Sequence, residues 1–280
     1  MRAWPLDPLL IAGLIVSGAI YLRADRRVRA RRGGVLPGTR PWWFVGGLSV
    51  ILVSLQGPLD ARAGTSFTAH MVQHLLLTMV AAPLLVLGAP IALALLACTP
   101  AARRRLVSVL RTPPVRVATN PIFAWGLFVV VLWGTHFTDL YSIALRNNAV
   151  HAVEHLLYLG AAVLFWIPVV GIDPSPSRLS HPARILYLFL AMPAMAFLGL
   201  ALISATHVLY PSYLQYRNLA GELRDQAAAG AIMWAGTMFL IVPALAFVLF
   251  DWMRADEQEA RRIDARLLRS QEPATTADGV

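Results

Sequence analysis

Seven histidines are the residues of this chain best suited to metal or proton chemistry, and their spacing is patterned. His70 and His74 are four apart, as are His151 and His155, while His136, His181 and His207 stand singly. On a helix, a spacing of four stacks two imidazoles on one face with Cβ atoms about 5–6 Å apart, close enough to share an ion or flank a cofactor. Imidazole suits copper, zinc and iron alike, and a nearby thioether shifts the choice towards Cu(I). Met71 sits inside the first pair. Cys98 is the only cysteine, so the chain can build neither an internal disulfide nor a thiolate cage from CxxC repeats. The candidate ligands are therefore His70, His74, His136, His151, His155 and His207. Glu154, Asp225, Asp60 and Met71 are expected to support them, because carboxylates beside imidazoles fix the tautomer and raise ligand basicity.

One string invites a narrower reading. His151-Ala152-Val153-Glu154-His155 fits H-x-x-E-H, in which two histidines hold zinc and the glutamate acts as base in an inverted zinc peptidase. Three fixed residues are a weak motif, and no distant third carboxylate ligand is evident.

The elements that must position these groups are membrane helices. Of 280 residues, 58% are hydrophobic and 14% charged, and the mean hydropathy is +0.61. A crossing takes about 20 apolar residues, so the chain accommodates about seven or eight crossings and no separate soluble domain. Apolar stretches fall at residues 6–22, 42–58, 69–97, 120–137, 149–170, 184–206 and 228–251. The fold class expected is all-α, a polytopic bundle of seven transmembrane helices over residues 1–253 followed by a charged cytoplasmic tail, 254–280. Arg2 is a thin basic stretch for a leader, and Arg23 to Arg32 form a block that stops translocation, so the first helix is expected to remain. Within the third stretch, Gly88-Ala89-Pro90 is expected to break the helix. The tail should be helical from Arg254 to Arg269 and disordered from about Gln271.

Orientation follows from charge. All 24 basic residues are arginines, and 19 of them lie in residues 23–40, 100–116, 171–184 and 254–269. Cytoplasmic loops carry such an excess, which places the N-terminus outside and the C-terminus in the cytoplasm. The net charge of +9 thus serves orientation and contact with membrane lipid, and nucleic acid is not an expected partner. In that topology six histidines cluster at the extracytoplasmic helix ends and His181 alone is cytoplasmic. Ionisable groups inside a bundle are costly and imply function. A copper site is favoured, zinc or haem held by histidines of two helices remains open, and a copper transporter would need polar residues across the membrane. At depth the only soft donors are Met79, Met192, Met195 and Met238.

Several strings together carry a resemblance. They are Pro58-Leu59-Asp60, Ala69-His70-Met71-Val72-Gln73-His74, Gly88-Ala89-Pro90, His136 with Leu140-Tyr141, His151 to His155, Phe165-Trp166, Leu209-Tyr210-Pro211, and Asp225-Gln226 with Ala229-Gly230 and Met233-Trp234. In this order, over about residues 45–250, the chain resembles the CtaG family of cytochrome c oxidase assembly factors, the polytopic branch tied to caa-type oxidases. The resemblance implies a multi-pass protein of the bacterial plasma membrane that is not an enzyme. It would bind copper at the extracytoplasmic face and support its insertion into an oxidase subunit during assembly. The family's polar positions match His70, His74, His136, His151, His155, His207 and Asp225. Ala227 departs from the family's frequent second glutamine.

Overall fold

The computed structural model describes residues 6–33, 37–138, 140–171 and 178–271. Among these every regular element is helical: α1 (Pro8–Arg32), α2 (Arg40–Leu55), α3 (Pro58–Ala63), α4 (Phe67–Leu75), α5 (Ala82–Leu87), α6 (Pro90–Ala97), α7 (Pro100–Leu110), α8 (Pro113–Ala118), α9 (Pro121–His136), α10 (Leu140–Ala144), α11 (Asn148–Val170), α12 (His181–Ser204) and α13 (Leu219–Gln271). A π turn, Leu76–Ala81, joins α4 to α5, and a 3-10 turn, Pro211–Gln215, precedes α13.

Local chemistry explains where these helices begin. Proline lacks an N–H and has a preset φ, which suits a first turn, and α1, α3, α6, α7, α8 and α9 all open on one. Asp7, Ser66, Asn120 and Asn147 accept backbone N–H groups of the turns they precede. The expected break in the third apolar stretch is present. Ala89 is left-handed (φ 50°, ψ 55°), a conformation that costs a non-glycine residue about 1–2 kcal/mol and that the following Pro90 helps impose by disfavouring a right-handed turn. Tyr21 pins the corner, donating its hydroxyl to the Gly88 carbonyl at 2.5 Å while its ring stacks on Phe44 at 4.0 Å.

Among the described residues, five helices are long and apolar enough to cross a membrane: Pro8–Arg31, Phe67–Ala97, Asn148–Val170, His181–Ser204 and Leu219–Leu267. The stretches at 42–58 and 120–137 correspond to α2 and α9, which are apolar but only 16 residues each. A helix of that length rises about 24 Å. Two helices overrun their apolar stretches. α1 continues through the arginine block to Gly33 (φ +66°), since arginine is a good helix former and charge alone does not end a helix. α13 is one helix of 53 residues that carries the charged segment 254–269 as its extension. The expectation for residues 272–280 falls outside the described residues.

The bundle is apolar outside and polar within. Ile122, Leu156, Phe239 and Phe250 are exposed, whereas His70, Gln73, His74, Glu154, Glu222 and Gln226 are buried. That is the distribution expected where the solvent is hydrocarbon, since ionisable groups then face the interior. α12 packs along α13, α13 also packs on α4, and α11 packs on α9, α5 and the π turn. The first of these contacts is backbone to backbone. A Cβ added at Gly230 would sit 2.6 Å from the Gly199 carbonyl, and one at Gly199 would sit 2.7 Å from that of Gly230. Small residues permit this approach between membrane helices.

Candidate metal centre

The start of α4 is held from α13. The Asp225 carboxylate accepts the Phe67 N–H at 2.8 Å, the Ser66 hydroxyl at 3.0 Å and Arg217 Nη1 at 2.5 Å. Thr68 Oγ1 donates to the Asp225 carbonyl at 2.9 Å. An anion at a helix N-terminus satisfies free N–H groups and meets the positive end of the dipole. α4 is thereby fixed with His70 and His74 pointing inward. On α11, Asn147 caps the Ala149 and Val150 N–H groups, and one stripe of the helix then presents His151, Glu154, His155 and Tyr158 to the interior. Val153, Leu156 and Leu157 occupy the outer face.

The two histidine pairs meet. Ring centroids lie 4.3 Å apart for His70–His74, 4.2 Å for His151–His155, 5.3 Å for His70–His151, and 5.6 Å for His74–His155. Glu154, 1% exposed, brings a carboxylate oxygen into the same space: it and one nitrogen each from His70 and His74 all lie within 4.8 Å of one another. Among the described residues, both nitrogens of His70 and of His74, Nε2 of His151 and His155, and both oxygens of Glu154 are buried without a hydrogen-bond partner. The Ala63 carbonyl is within electrostatic reach of His70 but not at hydrogen-bonding geometry. Each unmatched polar group costs about 1–3 kcal/mol. A set of convergent imidazole nitrogens with one carboxylate is what a bound transition-metal cation would satisfy. In the H-x-x-E-H string, Glu154 thus keeps company with the histidine pair of the opposite helix.

Around this cluster the supporting residues divide. Asp60 accepts Gln73 Nε2 at 3.0 Å, and Gln73 also donates to the Ser54 carbonyl at 2.8 Å. Burial pushes the Asp60 carboxyl above its usual range, against the opposing effects of the Gln73 hydrogen bond and of His151. Tyr141 covers the His70 end of the cluster, its ring 4.9 Å from that of His70. Tyr213 donates to the Ala63 carbonyl at 3.1 Å, so the 2.9 Å bond between the Tyr141 and Tyr213 hydroxyls is donated by Tyr141. Burial raises the phenols of Tyr141, Tyr210 and Tyr213. Met71 and His136 form a contact of their own, Sδ to Nε2 at 3.2 Å, and His136 reaches the cluster through the rings of Tyr141 and Tyr158.

Two expected site residues are placed elsewhere. Asp225 bonds the start of α4 instead of an imidazole and so acts on His70 and His74 only through that helix. His207 is exposed, because α12 ends at Ser204 and the chain turns away; its carbonyl accepts Gln226 Nε2 at 3.2 Å while Gln226 Oε1 accepts the Leu209 N–H at 2.8 Å. Tyr158 was not foreseen. Its ring lies 4.2 Å from that of His74, and its hydroxyl bonds Thr135 and lies 3.2 Å from His136 Nδ1. The signal was available, since Tyr158 extends the 151, 154, 155 spacing by one turn. The π turn after His74 is also a tertiary feature: Pro83 has no N–H for the ladder, the Ala82 N–H reaches back to the Leu77 carbonyl, and Trp166 Nε1 satisfies the Thr78 carbonyl at 2.9 Å.

Residues 19–255 match the family described as cytochrome c oxidase caa3 assembly factor. The chain belongs to that family. It is 31% identical over 272 residues, 93% of its length, to an uncharacterized protein of Mycobacterium leprae, of which it spans 41%. Uncharacterized proteins of Mycobacterium bovis and Mycobacterium tuberculosis are each 31% identical over 275 residues, 94% of this chain and 41% of theirs. The chain therefore spans about two fifths of the length of these curated relatives. No solved structure matches. The assembly-factor family agrees with the resemblance carried by the histidine and proline strings.

Proposed function

We propose that this member of the oxidase assembly-factor family binds copper at the extracytoplasmic face of the bacterial plasma membrane and passes it to an oxidase subunit during assembly. The observation that carries the reading is the buried set of unpartnered donors from His70, His74, Glu154, His151 and His155. Copper is cargo here, so the chain needs no catalytic group, and a cluster of neutral imidazoles releases an ion more readily than a closed thiolate cage does. Rings packed 4.2–5.6 Å apart favour an ion between nitrogens over a haem macrocycle. α2 and α9 would complete seven crossings, their short length being taken up by tilt of their neighbours or local thinning of the bilayer. The N-terminus lies outside and the C-terminus in the cytoplasm.

The test is competition between the detergent-purified protein and a Cu(I) chelator. Native protein should retain copper, and His74→Ala and His151→Ala should each weaken it by at least about tenfold. Absence of copper from the native chain, or equal affinity in all three, would refute the reading.

A further inference from the structure

Met71 and His136 meet where two lone pairs face each other. His136 Nδ1 lies 2.6 Å from the Leu132 carbonyl, which can only accept, so Nδ1 carries the ring proton. In the neutral imidazole, Nε2 then has a lone pair and no hydrogen. Met71 Sδ stands 3.2 Å from it and has no proton to give. Met71 is 0% and His136 3% exposed, so water does not relieve the contact. Two buried acceptors at this distance repel unless a cation lies between them. Bonds of about 2.0–2.1 Å to nitrogen and about 2.3 Å to sulfur put the two donors about 3.2 Å apart when they meet one ion near a right angle. Imidazole with thioether is a soft donor pair, which selects Cu(I).

A cleft adjoins the pair on one side and a boundary closes it on the other. His136 lines a cleft of about 380 Å³ with Phe137, Thr138, Ser142, Leu209 and Tyr210. On the other side stand two tyrosine rings. Tyr158 lies 4.2 Å from His74 and 6.4 Å from His136, and Tyr141 lies 4.9 Å from His70 and 6.3 Å from His136. Met71 follows His70 directly, and one residue turns a helix by about 100°, which aims its thioether away from the imidazole cluster and towards α9. We propose that Met71 Sδ and His136 Nε2 are ligands of a second metal site, a Cu(I) site loaded from the cleft and separated by Tyr141 and Tyr158 from the imidazole and carboxylate cluster. The inference rests on the copper reading above.

Copper stoichiometry and X-ray absorption at the copper edge of the full chain loaded with Cu(I) in detergent test it. Native protein should bind two equivalents with sulfur among the nearest scatterers. Met71→Leu, which conserves volume, should bind one equivalent with nitrogen and oxygen only, and His74→Ala one equivalent with sulfur retained. Copper without sulfur in the native protein, at a stoichiometry that Met71→Leu leaves unchanged, would overturn this site and leave the imidazole cluster standing. Loss of all copper in each variant would overturn the separation, showing one shared site. No copper on the native chain would overturn both readings.

Discussion

Replacing His74 by leucine separates a metal centre from a structural histidine, because the two predict opposite effects on the metal-free protein. His74 is 4% exposed, its two ring nitrogens have no hydrogen-bond partner among the described residues, and its ring is packed between those of His70, His155 and Tyr158. Leucine is close to histidine in volume and buries no polar atom. If each orphaned group costs about 1–3 kcal/mol, removing both and allowing for lost ring packing leaves a net gain of about 1–3 kcal/mol. At about 2–4 °C per kcal/mol for a chain of this size, the metal-free variant should melt about 2–12 °C above the native protein. Metal acts in the opposite direction. An ion held at a hundred times its Kd stabilises the native fold by about 2.7 kcal/mol, and the variant, lacking a ligand, should gain far less. The assay is thermal unfolding of both proteins in the same detergent, with chelator and with Cu(I). A metal-free His74→Leu protein that melts below the native one, with the same response to copper, would refute the reasoning and make the imidazoles packing residues.

The Asp225 strut should show that the centre is held from α13. Asp225→Ala leaves the Phe67 N–H and Ser66 hydroxyl without their acceptor, should cost about 3 kcal/mol, and should weaken copper although Asp225 touches no imidazole; unchanged copper affinity beside lowered stability would contradict this. The proposed orientation predicts that a reporter fused after Val280 is active only in the cytoplasm, and activity on the outer side would invert it.

The one-dimensional pattern carries much of this protein. Hydropathy is enough for an all-helical membrane bundle, because a span must be apolar over most of its length whichever neighbours it packs against. The i, i+4 spacing of His70 with His74 and of His151 with His155 is enough to stack each pair, because a helix places such residues on one face irrespective of the fold. Gly88-Ala89-Pro90 is enough for a break, through backbone sterics alone. What spacing cannot supply is which stripe faces which. That α4 and α11 bring their pairs together depends on α11 packing against the π turn and α5, and hence on Pro83 and Trp166. Whether Glu154 stays on its own motif or joins the opposite pair, whether Asp225 holds an imidazole or a helix end, and whether His207 enters the bundle or leaves it are questions of distance between segments far apart in the chain. Tertiary structure decided each of them, since a side chain's partner is set by the neighbouring helix that reaches it and a helix carries no record in its own sequence of which neighbour that is.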